Sequence, residues 1–93
     1  MNNNQIEFNK IEFMSIPFGK QAIIYFNNGY GASIVCSMFS YGGKKGQFEL
    51  AVLLSDGSIT YDTKITNDVL GFLSENEVEE VLKSISKLPS RLN

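Results

Sequence analysis

The chain has 93 residues, 43% of them apolar, 19% charged, and a formal net charge of −2. That length gives one domain, burying roughly 60–65% of the surface of its unfolded chain, so a second copy would add usefully to a modest core. With no histidine and a single cysteine, internal disulfides and zinc cages are excluded; no apolar run is long enough to span a bilayer, and no secretory core follows Met1, so a cytoplasmic setting is expected.

In chain order, residues 1–5, with three consecutive asparagines, read as a frayed terminus. Ile6-Glu7-Phe8 and Ile11-Glu12-Phe13 repeat an apolar–acid–apolar pattern, which suits two short strands or one irregular edge strand. Residues 15–19, holding Pro17 and Gly19, read as a break. We therefore divide the chain into an N-terminal extension, 1–19, partly ordered, and one α+β domain, 20–93.

Residues 21–26 form a β-rich run, and Asn27-Asn28-Gly29 favours a hairpin return. Residues 31–39 alternate, with Ala32, Ile34, Cys36 and Met38 on one face, the pattern of a strand covered on one side. Cys36 reads as a small core residue, since no histidine exists to activate it as a nucleophile. Residues 48–55 place Phe48, Leu50, Val52 and Leu54 on one face, and Ala51 and Leu53 make the other apolar too, predicting a central strand covered on both sides. Asp56-Gly57 predicts a type I′ turn, with a short return strand over 59–61.

Thr66-Asn67-Asp68 is placed to cap a single helical turn over 69–73, and Ser74 with Glu77 three residues on forms a capping box for a longer helix. Val78, Val81, Leu82, Ile85 and Leu88 make one apolar stripe at helical period, and Pro89 stops the run. Glu79 and Lys83 form an i, i+4 pair. The predicted fold is α+β: an antiparallel sheet of four or five strands with one C-terminal amphipathic helix packed on one face.

Two segments are candidates for function. Between residues 47 and 80 eight acids stand against Lys64 alone, a local charge of −7. Asp62, Asp68, Glu75, Glu79 and Glu80 are the candidate acidic patch for a basic partner surface. The other is Tyr41-Gly42-Gly43-Lys44-Lys45-Gly46, whose glycines let backbone approach a phosphate and whose lysines would neutralise it. It is not a P-loop, because no Ser or Thr follows a Gly-Lys pair. No pair of carboxylates is spaced for acid–base work, so the expectation is a non-enzymatic protein with no catalytic residues, no metal and no cofactor.

The segments Asn28-Gly29-Tyr30-Gly31-Ala32-Ser33, Tyr41-Gly42-Gly43, Phe48-Glu49-Leu50-Ala51-Val52-Leu53 and Tyr61-Asp62-Thr63, followed by Ile65-Thr66, Asp68-Val69, Gly71 and Leu73, resemble in that order a family of small uncharacterised proteins encoded by phages and prophages. The resemblance covers roughly 26–88. It implies a phage setting in a host cell's cytoplasm and carries over no site residues. Small phage proteins of this kind suggest counter-defence: an anti-CRISPR-like inhibitor that docks on a host protein or nucleoprotein complex through the acidic patch. The alternatives are a protein that sequesters a signalling nucleotide through the glycine–lysine loop, at the subunit interface of a homodimer, and an accessory structural protein. Neither membrane association nor direct nucleic-acid binding is expected.

Overall fold

The computed structural model describes residues 6–66 and 68–91; residues 1–5 and Asn67 of the expected cap lie outside them. Five antiparallel strands follow one another as a meander in the order β1 (Met14–Ile16), β2 (Gly19–Tyr25), β3 (Tyr30–Ser37), β4 (Phe48–Leu54) and β5 (Leu70–Leu73), and helix α1 (Glu75–Ser86) closes the chain. This is the predicted α+β fold. No helix of the described residues is long and apolar enough to cross a membrane.

The register explains the core. Ala22 pairs with Ile34 and Ile34 with Leu50, while Ile24 pairs with Ala32 and Ala32 with Val52, so these apolar side chains share one face of the sheet. Val78, Leu82 and Ile85 of α1 are completely buried with them. Each such side chain contributes about 1.5–3 kcal/mol on burial. The helix begins at Ser74, whose hydroxyl accepts from Glu77 N at 3.1 Å while Glu77 Oε1 accepts from Ser74 N at 2.9 Å, the capping box legible in the sequence. Its far end is held by Asn28 in the β2–β3 turn, whose amide donates to Ile85 O (2.8 Å) and Leu88 O (3.1 Å).

On the opposite face Gln21 pairs with Val35 and Val35 with Glu49, and Ile23 pairs with Ser33 and Ser33 with Ala51. Met14, Ile23 and Tyr25 are exposed, but Ala51 and Leu53 are buried, so the middle of β4 is covered on both sides, as its unbroken apolar run predicts.

Four local expectations are corrected. The segment 6–13 is not a strand: Phe8–Lys10 forms a 3-10 turn, because Phe8 N donates to Glu79 Oε2 at 2.6 Å and the Phe8 and Phe13 rings turn in toward Phe48. The edge strand is instead β1, drawn partly from the expected break, with the turn confined to Pro17 and Phe18. Residues 70–73 form β5 in place of a helical turn, since pairing of Leu73 with Phe48 and of Leu70 with Leu50 satisfies their backbone. The turn after β4 is a three-residue loop and not type I′. Leu54 N donates to Ser58 O and Gly57 N to Leu54 O, and of these loop residues only Gly57 has positive φ (88°). The Asp56 carboxylate fixes this form by accepting from the Ser58 hydroxyl (2.6 Å) and N–H (2.9 Å), bonds that hold its carboxyl below the ordinary aspartate range. The return strand after it shrinks to one bridge, Ile59 to Leu53.

Candidate ligand-binding site

The connection from β3 to β4, residues 38–47, is folded on itself. Ser40 Oγ accepts from Ser37 N and donates to Ser37 O, Gly43 N donates to Ser40 O, and Gly42 O accepts from both Lys45 N and Gln47 N. The turn Gly43–Lys45 that carries the two lysines is short and 3-10. Gly43 is required there: a Cβ would sit 1.7 Å from Ser37 O, so the loop backbone lies directly on the end of β3.

Two distant segments are strapped to this connection. Met38 N donates to Phe18 O at 3.1 Å, fixing the β1–β2 turn, and Phe72 N donates to Tyr41 O at 3.2 Å, fixing β5. Glu49 Oε1 accepts from Tyr41 N at 2.8 Å and holds the loop from β4. The result is a cluster of large side chains at one end of the sheet: Phe18, Phe39, Tyr41 and Phe72 are between 55% and 76% exposed. Phe39 meets Phe18 edge-on with ring centroids 5.3 Å apart.

Phe18 (φ 66°) and Phe72 (φ 57°) are, among the described residues, the non-glycine residues with left-handed backbone. A bulky side chain there is a genuine outlier, and such strain persists where the surroundings enforce it. At Phe72 the cause is visible: β5 has an extra residue between its two ladder pairs with β4, a bulge that re-aims the side chain.

Two adjoining grooves run through the cluster. The larger, about 530 Å³, is bordered by Phe18, Lys20, Cys36, Met38 and Lys44; the smaller, about 280 Å³, by Met38, Tyr41, Lys44, Lys45 and Phe72. Lys20 is positioned by the Phe13 and Phe48 rings, its Nζ 4.9 and 5.6 Å from their centroids. Cys36 is half-buried, its Sγ 3.7 Å from Gly43 O. Among the described residues Lys44 and Lys45 hold no ion pair and are exposed, whereas the Lys20 ammonium is engaged by the Phe13 and Phe48 rings.

The loop residues Tyr41, Gly42, Gly43, Lys44 and Lys45 thus sit together. Phe18, Lys20, Met38, Phe39 and Phe72, which share their site, have no marker in the sequence beyond apolarity or charge. The acids are divided: Asp62 and Asp68 stand on the β4–β5 connection, the three glutamates on α1. Asp68 Oδ1 accepts from Val69 N, Glu79 accepts from Phe8 N, and Glu80 Oε2 meets Lys83 Nζ at 3.6 Å. Lys83 therefore pairs with Glu80, three residues before it, in place of the expected Glu79, which is spent on tying down the N-terminal segment. Among the described residues no group of three or more potential ligands could hold a metal ion.

No family model matches the chain, and no curated protein or solved structure is significantly similar to it.

Proposed function

We propose that the protein works by binding, as a receptor or sink for a small anionic ligand that carries flat rings, of which a nucleotide is the simplest kind. In a phage setting this is a counter-defence role, withdrawing a signalling nucleotide from the host. The observation that carries the reading is the pairing of exposed aromatic side chains with two lysines free of ion pairs, Lys44 and Lys45, on one self-bonded loop: rings offer faces for base stacking, and the lysines offset phosphate charge. It is preferred to an inhibitor docking through the acidic patch because Asp68 and Glu79, two of its five carboxylates, already hold backbone N–H groups of the chain itself.

The test is calorimetric titration of the purified protein with a panel of nucleotides. Lys44→Ala/Lys45→Ala is expected to weaken binding at least tenfold at low salt and to flatten its salt dependence, with the thermal unfolding midpoint unchanged because both side chains are exposed. Absence of binding to any nucleotide at millimolar concentration would defeat the reading.

A further inference from the structure

We infer that the site takes a dinucleotide, two bases joined through phosphate, and that it does so by seating one base in each groove. The inference rests on the nucleotide reading above and specifies its ligand class. Its basis is the two-lobed layout. The grooves are neighbours that share Met38 and Lys44, and each adds its own aromatic wall, Phe18 in the larger and Tyr41 and Phe72 in the smaller; Lys45 adds a second charge to the smaller, while Lys20 borders the larger with its ammonium over the Phe13 and Phe48 rings. Charge lies between the lobes, at Lys44, and rings lie in both. A mononucleotide matches one half of this pattern. A molecule with a ring at either end and phosphate in the middle matches the whole of it.

The two ring walls are also fixed relative to one another. Phe18 O accepts from Met38 N and Tyr41 O accepts from Phe72 N, so the β1–β2 turn and the β5 bulge are both bonded to the same short connection. That connection is itself closed by the Ser37–Ser40 and Gly42–Gln47 bonds. Phe18 and Phe72, which hold the outer wall of each lobe, are the described non-glycine residues kept in left-handed backbone. A ligand that bridges both walls therefore meets a spacing set in advance, and ordering the protein takes little from its affinity. Occupying the second groove becomes an intramolecular step, which is worth 10²-fold or more when the geometry allows both halves to engage.

The experiment titrates the full chain calorimetrically with the four 5′-mononucleotides, the four linear 5′-phosphorylated homodinucleotides and their cyclic 3′,5′-linked forms. At least one dinucleotide is expected to bind ten times or more as tightly as the mononucleotide of the same base, with one ligand per chain. Phe18→Leu and Phe72→Leu keep apolar volume while removing a ring face. Each is expected to weaken the dinucleotide about tenfold, with a smaller effect of one of them on the mononucleotide, which occupies a single lobe. Unfolding curves confirm that the variants are folded, and the ratio measured on the unaltered protein decides the matter without them. A ratio below ten for every base overturns the dinucleotide while leaving the nucleotide reading intact; no binding by any of the twelve compounds overturns both.

Discussion

At Phe72 the ordinary ranking of small residues should invert. In a strand, alanine is more stable than glycine by about 0.5–1 kcal/mol, because glycine loses more chain freedom on folding. Phe72 holds φ 57°, where a Cβ costs roughly 1–2 kcal/mol and glycine has none to strain. The Phe72 ring is more than half exposed, so both truncations lose similar, limited packing. Phe72→Gly is therefore expected to be more stable than Phe72→Ala by about 1 kcal/mol, measured by urea unfolding. Both are expected to lose affinity for nucleotide. An Ala variant as stable as the Gly variant would mean that the bulge relaxes without the loop, and that its strain does not serve the site.

Among the elements, α1 is the one whose formation is set most locally. Ser74→Ala removes the hydroxyl that accepts from Glu77 N and is expected to cost about 1 kcal/mol in urea unfolding, with nucleotide binding unchanged. Such local rules are why the helix and the three long strands were legible in the sequence: a capping box, an i, i+3, i+4 stripe and period-two alternation are all complete within a dozen residues. β5 was not, because Val69, Leu70 and Leu73 have spacing that suits a helical turn, and what makes them a strand is pairing with Phe48 and Leu50. The turn type at Asp56-Gly57 was hidden for a similar reason, being decided by the bonds from Ser58. Of the candidate site, the loop from Tyr41 to Lys45 announced itself through glycine and lysine. Phe18, Lys20 and Phe72 did not, since only the meander brings them beside it. The acids crowded in the sequence are divided in the fold: Glu77 bonds at the helix start, Asp68 in a loop and Glu79 to the N-terminal segment.

On the scale of the whole molecule, the sheet sets the Asn28 fastening and the proposed binding grooves at opposite ends. In an antiparallel meander the β1–β2 and β3–β4 connections lie at one end of the strands, and the β2–β3 turn and the C-terminal end of α1 at the other. β3 is eight residues long, so these ends stand about 26 Å apart. The far end is closed around one residue. Asn28 donates to Ile85 O and Leu88 O, its Oδ1 accepts from Tyr30 N at 3.1 Å, and its own carbonyl accepts from Arg91 N at 2.8 Å. Asn28→Ala deletes the three side-chain bonds and leaves the last carbonyls of the helix without that partner, which is expected to cost about 1–3 kcal/mol. Sites this far apart with no shared partners behave additively, so the same variant is expected to bind nucleotide as the unaltered protein does at temperatures where both are folded. Lys44→Ala should show the reverse pattern, normal unfolding with weakened binding. Measuring both quantities on both variants tests the division directly: a loss of affinity in Asn28→Ala would mean that α1, anchored at one end, helps to shape the grooves at the other.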